Sequence, residues 1–463
     1  MLGHMIVIDW IEQLFTPAPK PLLSSVQLST EQLDDRCVPA TLVWDGKDDG
    51  LWSNRLNWLD GAFAPPNPPG QNDTVRFDGA KQTHSRADSA KVGAVEITGS
   101  YEKTITIETG QQKVSTLEVM SAYTMSAGNA FVSGGNDGNG TLQLSGASTF
   151  TWSAGKIRTT NVQLGAADNH AVTATISNTV IFDSSTLDNH GTVTTSDSYV
   201  KVTTGTSSII NRAGATFNAT KFHFGDALIR NVGTVENLGT MKLGGQTVID
   251  ADTINRGTLR LAKVDSGSPE FVQSYRQYSG TTELYDNPFV ELDGPGDHIH
   301  IHGGKLIGNG TLDGNLTLGY EGDATAGDAT INPGWTTTVM GFPVSYTPGT
   351  ITVTQSFEMF DTTNTMRIDV IASGGFDKVV VQGLSANLKG TLDLNNSAYK
   401  PEMGVMVDFL NATTIGGVFT TKTYFIGNWS HPTNPGYELY WTLVKEGDRY
   451  SIQVAGKKFY GPP

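Results

Sequence analysis

The chain is 463 residues long and has a single cysteine, Cys37. No intramolecular disulfide can form, and no thiolate zinc site can be assembled. Long apolar runs are absent as well, and nothing approaches the ~20 residues that a membrane-crossing helix needs. Charge is sparse: Asp, Glu, Lys and Arg make up 17% of the residues, against a usual ~25%. Positive charge is the scarcer sign, with 31 Lys and Arg against 46 Asp and Glu, a net charge of −15. Phosphate backbones are held by clustered Lys and Arg, so nucleic acid is not the expected partner. There is no P-loop, no dinucleotide-binding glycine fingerprint and no G-x-S-x-G nucleophile elbow. Coiled-coil composition is missing too.

What remains is rich in glycine (53) and threonine (57). From Leu42 onward, short runs of Val, Ile, Thr, Phe and Leu alternate with breaks of Gly, Asn, Asp and Ser. Lys103–Glu108, Gly140–Leu144, Ala171–Ile176 and Tyr199–Thr203 are examples with period two. Such runs are strands and the breaks are turns. One unit recurs: an apolar residue, then Asn, Gly, Thr and a second apolar residue. It is read at Leu187–Val193, Ile229–Val235, Val235–Met241 and Ile254–Leu259, with a looser copy at Ile210–Gly214. Taking Asn189, Asn211, Asn231 and Asn255 as equivalent gives steps of 22, 20 and 24 residues. A period of that size marks a stacked coil. Glycine and asparagine suit its corners, and an asparagine kept at one corner can pass hydrogen bonds from rung to rung. The expected fold is all-β, a right-handed parallel β-helix over 42–335. A leader or flexible tail (1–41) precedes it and a C-terminal antiparallel β capping domain (336–463) follows. The latter includes a hairpin between Tyr437–Val444 and Arg449–Val454.

Three stretches resemble known families. Glu31–Thr41, with the core Asp35-Arg36-Cys37-Val38-Pro39-Ala40, is similar to the L-E-D-R-C-V-P-A-T leader of exported planctomycete proteins. The block Trp44-Asp-Gly46, Trp52-Ser53, Asn57-Trp58 and Asp73–Phe77 resembles the opening of many secreted bacterial β-helices. Gly303–Gly319, with Ile331–Gly334 and Gly375–Gly383, resembles the final passenger repeat of autotransporter-like proteins, whose coil is of the pectin-lyase-like kind. These resemblances imply an exported protein, extracellular or at the cell surface. Autotransporters end in an outer-membrane barrel. The roughly 140 residues after Gly319 read instead as a compact antiparallel domain.

Four groups of residues invite chemistry. Trp44, Trp52 and Trp58 either cover the open end of the first rung or form a sugar-stacking platform. His298, His300 and His302 alternate onto one strand face. They are either a solvated outer face or, with a ligand from a neighbouring rung, a Zn²⁺ or Cu²⁺ site. Asp168-Asn169-His170 and Asp188-Asn189-His190 lie 20 residues apart. Stacked on adjacent rungs they would pair Asp168 with Asp188 and His170 with His190, as corner residues, a Ca²⁺ or polysaccharide contact, or an acid/base set. Gly134–Leu142 is faintly similar to a Ca²⁺-binding nonapeptide and reads as a loop. No cofactor is expected beyond a possible Ca²⁺ or Zn²⁺. The expected role is structural or adhesive and non-enzymatic, with polysaccharide or cell-envelope material as partner. The alternative is a pectin-lyase-like lyase or glycoside hydrolase. Oligomeric state is not legible.

Overall fold

The computed structural model describes residues 39–88, 91–107, 116–127, 131–133, 140–203, 207–225, 233–264, 267–293, 298–319, 327–339, 342–372, 375–383, 385–395, 406–424, 430–431 and 434–458. Ala40–Pro463 forms one compact unit, distinct from Met1–Pro39. The leader through Val38, most of the Gly134–Leu142 loop, Asn231 and Asp297 lie outside the described residues.

Period-two segments fold as strands. The four expected above appear as Thr104–Ile107, Thr141–Leu144, Thr173–Phe182 and Thr192–Val202. Within Thr104–Ile107 the isoleucines are buried and the threonines face outward. Parallel pairing then stacks the strands into three ladders, giving an all-β parallel β-solenoid. One ladder runs Thr149–Trp152, Thr173–Phe182, Thr192–Val202, Thr216–Gly225, Thr240–Gly244 and Thr258–Ala262. A second runs Asn161–Leu164, Thr186–Asn189, Ser207–Asn211, Gly233–Asn237, Asp252–Asn255, Tyr275–Gln277 and His298–Ile301. The third takes the C-terminal halves of Thr173–Phe182, Thr192–Val202 and Thr216–Gly225, then Val248–Ile249, Glu270–Phe271, Phe289–Leu292 and Gly310–Asp313.

The strands shared by the first and third ladders turn a corner on one residue. Asp197 and Lys221 are skipped by the pairing and sit at φ 50°. A single left-handed residue redirects the strand without ending it. Inward columns are apolar and in register: Phe150, Ala174, Val193, Phe217, Met241 and Leu259 follow one another up the coil. Each is 3% exposed or less. The small residues between Phe150 and Phe217 leave room for the rings, as close packing requires.

A buried amide ladder binds the rungs at the corner of the second ladder. Asn189 Nδ2 donates to Asn211 Oδ1 (2.8 Å), Asn211 to Asn237 (2.8 Å), Asn237 to Asn255 (2.8 Å) and Asn255 to Gln277 Oε1 (3.2 Å). The second proton of each Nδ2 goes to a backbone carbonyl of the rung above: Thr216, Thr240, Thr258 and Thr281. All five side chains are 0–1% exposed. Two residues after Asn237 and Asn255, the chain passes so close to the rung below that a Cβ on Gly239 would lie 2.3 Å from the Arg212 carbonyl. On Gly257 it would lie 2.2 Å from the Gly239 carbonyl. The Asn-x-Gly unit is therefore one device: the amide pins the rung and the glycine lets it approach.

Two expectations need correction. The ladder uses Asn237 where Asn231 was expected, so its steps are 22, 26, 18 and 22 residues. The boundary at 335/336 does not divide parallel from antiparallel structure. Parallel pairing joins Gly310–Asp313 to Thr350–Val353, Thr350–Val353 to Lys378–Val381, and Ser385–Asn395 to Ile415–Tyr424. Antiparallel pairing occupies the last strands, where Met406–Ala412 meets Arg449–Lys458, which in turn pairs with Asn434–Glu446. That last pair contains the expected hairpin, closed between Glu446 and Arg449 with Gly447 at φ 57°.

Asn237→Ala leaves one amide proton of Asn211 unpaired in a dry corner and takes from Asn255 Oδ1 one of its two donors, the Gly257 N–H remaining. The expected loss is about 2–3 kcal/mol at an unsatisfied buried amide. Thr175→Ala, on an exposed outward position, should change stability by less than about 0.5 kcal/mol. Chemical denaturation of both variants checks the contrast.

Candidate functional site

The three tryptophans are core residues. Trp44, Trp52 and Trp58 are 2%, 1% and 0% exposed. They gather around Phe77, with ring centroids 5.6, 5.6 and 5.9 Å from it. Trp58 Nε1 donates to the Trp52 carbonyl (3.0 Å). Buried rings offer no face to a sugar, so they are not a binding platform.

The Asp-Asn-His pairs do not stack. Residue 188 lies opposite Gln163, because the chain makes an extra turn bridged between Ala166 and Asn169. Asp168 is exposed on that turn. Asp188 is held by Arg212, whose Nε and Nη2 donate to its two oxygens at 2.6 and 3.2 Å. His190 Nε2 lies 3.6 Å from the same carboxylate, while His170 Nδ1 meets the His190 carbonyl. The carboxylates are thus separated, and the one near imidazole is neutralised by arginine. No acid/base pair forms.

His298, His300 and His302 stack instead of converging. Their centroids are 5.2 and 5.8 Å apart, and His302 lies against Tyr278 at 4.8 Å. Arg276 pairs in register with His300 from the rung below. Burial, the neighbouring imidazoles and Arg276 push the His300 imidazole down to about 4, so it is neutral over most of the range in which histidine titrates. Among the described residues no three His, Cys, Asp or Glu side chains are arranged to hold a metal.

What the third ladder does build is a groove of about 810 Å³ on its outer face. One outward column runs Thr179, Tyr199, His223, Val248, Glu270 and Glu291, each opposite the next on successive rungs. At one end the Tyr199 and His223 rings lie 4.5 Å apart at 32°. Beside them stand the corner residues Asp197 and Lys221. At the other end are Glu270 and Glu291. Burial and then the nearby charges of Glu291, Asp293 and Asp250 raise the Glu270 carboxyl above its ordinary range. Asp250 is itself 3% exposed and accepts from Gln273 (3.0 Å). The groove thus joins an aromatic ledge to a carboxylate pair, with Val248 between.

None of these residues was among the sequence candidates. A signal existed: Tyr199 and His223 each stand the same distance after the rung-opening threonines Thr192 and Thr216. Beyond them the spacing lengthens, to 8 residues from Thr240 to Val248, 12 from Thr258 to Glu270 and 10 from Thr281 to Glu291, which hides the two glutamates. No protein-family model matches the chain, and no curated protein matches it in sequence.

Two pH effects follow. Because the folded carboxyl of Glu270 has a raised pKa, its ionisation opposes folding once pH exceeds that of the unfolded chain. Glu270→Gln should therefore raise the melting temperature at neutral pH and leave it unchanged below the ordinary carboxyl range. His300 has the opposite consequence. Between the ordinary 6.5 and about 4 the unfolded chain binds a proton that the folded chain refuses. Stability then falls as pH falls through that window, and His300→Gln should flatten this slope in pH-dependent melts.

Proposed function

We propose that this chain is a secreted or cell-surface β-helix with a structural or adhesive role, contacting polysaccharide or cell-envelope material through the groove on its third ladder. The observation that carries this reading is the groove's composition: a ledge of two adjacent rings next to a set of polar groups, open on the outer face of the third ladder. Sugar rings present apolar faces and polar edges, and recognition sites answer them with aromatic surface beside a few placed polar groups. The coil is read as right-handed, because crossovers between parallel strands take that hand in about 98% of cases. The antiparallel strands Asn434–Glu446 and Arg449–Lys458 are read as a cap, which spares the last rung an open edge. Export is supported by the resemblance of Glu31–Thr41 to a planctomycete leader.

A second reading, glycoside hydrolysis, is favoured by one observation. A carboxyl with raised pKa beside a second carboxylate is the pattern of an acid and its partner. Geometry weighs against it. Glu270 and Glu291 rise from neighbouring strands of one sheet, side by side, whereas hydrolysis needs the carboxyl groups on opposite sides of the scissile bond.

Titration against a panel of soluble polysaccharides, with product release followed in parallel, tests both. Binding without new reducing ends is expected, and Tyr199→Ala should weaken it by about tenfold, the ~1–1.5 kcal/mol of an aromatic contact. Release of reducing ends would favour the hydrolase reading. Absence of binding across the panel would refute the adhesive one.

A further inference from the structure

We infer that the glycan taken by this groove carries positive charge: it is a polymer of amino sugars with free, protonated amines. The inference rests on the polysaccharide reading above and adds the class of ligand.

Several outward glutamates of the coil are paired with basic side chains. Glu96 meets Arg76 at 2.7 Å, Glu118 meets Lys91 at 3.2 Å, Glu236 meets Arg256 at 3.4 Å and Glu283 meets Arg260 at 2.7 Å. Each partner comes from a neighbouring rung, so the stacking that places side chains ~4.8 Å apart is used to set opposite charges together. Glu270 and Glu291 break the pattern. They are directly opposite one another, and among the described residues neither forms an ion pair with a Lys or Arg. Like charges facing each other across a ladder are destabilising. Asp250 and Asp293 add to the same field. The basic group that lines the groove, Lys221, belongs to the corner beside His223, two rungs from Glu270 or ~10 Å along the coil.

An uncompensated carboxylate pair at one end of a groove is complementary to a cation brought by the ligand. The described residues hold no three-group set for a metal ion, so the cation is one that carries its own scaffold. The ledge of Tyr199 and His223 supplies the scaffold's other contact: one sugar ring lies on the aromatic rings while an amine further along the chain reaches Glu270 and Glu291. An ammonium donates up to three hydrogen bonds, enough to bridge both carboxylates. Bound there, it relieves the repulsion between the two facing carboxylates.

The test is calorimetric titration of the full chain with three hexasaccharides: glucosamine, N-acetylglucosamine and galacturonic acid, with calcium chloride alone as a fourth probe. Binding of the glucosamine hexamer is expected, weakening as salt is added. In the Glu270→Gln/Glu291→Gln double variant it should fall by at least about tenfold, the effect of one charge-assisted hydrogen bond. That variant removes a repulsion, so a melting temperature at or above that of the parent certifies its fold. Equal or tighter binding of the acetylated or acidic hexamer would overturn the inference and leave the polysaccharide reading standing. Full glucosamine affinity in the double variant would overturn it too. Calcium binding that the double variant abolishes, with no response to any sugar, would replace the amine by a metal. Silence from every sugar, hexamer and polymer alike, would remove the polysaccharide reading itself.

Discussion

The structure depends on a hydrogen bond that each repeat passes to the next. Each corner asparagine, from Asn189 to Asn255, gives one proton to the next side-chain amide and one to the next rung's backbone. A buried amide left unpaired costs a large fraction of a domain's net stability, so the rungs are held in register with one another. The apolar columns supply the bulk of the driving force. They forbid a one-residue slip, which would turn them to solvent, but a two-residue slide sets one aliphatic layer on another. The amide ladder tolerates neither: a rung displaced by either step would leave a donor and an acceptor dry.

That regularity carries the surface chemistry with it. When rungs stack in register, whatever one rung shows outward is repeated a strand spacing above. Across much of the coil this is used for charge pairing, as with Asp183 and Lys156 at 2.6 Å or Asp188 and Arg212 at 2.6 Å. The third ladder departs from it where Tyr199 lies under His223 and Glu270 under Glu291. Aromatic on aromatic is a stabilising cross-strand pair, whereas acid on acid is one that an architecture tuned only for stability does not select, and the two occur together along one groove.

Strands, turns and the coil itself were legible in the sequence because period-two burial and Asn-x-Gly corners are local properties. Register was less so. Ile229–Val235 and Val235–Met241 are overlapping copies of the same unit, and nothing local chooses between Asn231 and Asn237. The choice is made by long-range contacts: Asn237 receives the Asn211 amide, and Gly239 fits under the Arg212 carbonyl. The same limit misplaced Asp168, since an inserted turn lengthened the step that a constant period would have put opposite Asp188. The groove was illegible for a related reason. Its residues are contiguous only along the stack, and the turn between Lys263 and Pro269 shifts Glu270 out of the spacing shared by Tyr199 and His223. The tryptophans show the same limit from another side: aromatic content was visible, but whether Trp44, Trp52 and Trp58 faced a sugar or one another was decided by packing around Phe77.

Hydrogen exchange read by mass spectrometry on the Asn237→Ala chain tests the ladder most directly. If the amides bind rung to rung, protection is lost together at the corners on both sides of the missing side chain, around residues 211–216 and 255–258, while strands at Leu42–Trp44 and Thr391–Leu394 keep theirs. Exchange that rises only at residue 237 and its immediate neighbours, or that rises evenly along the whole coil, would contradict the account.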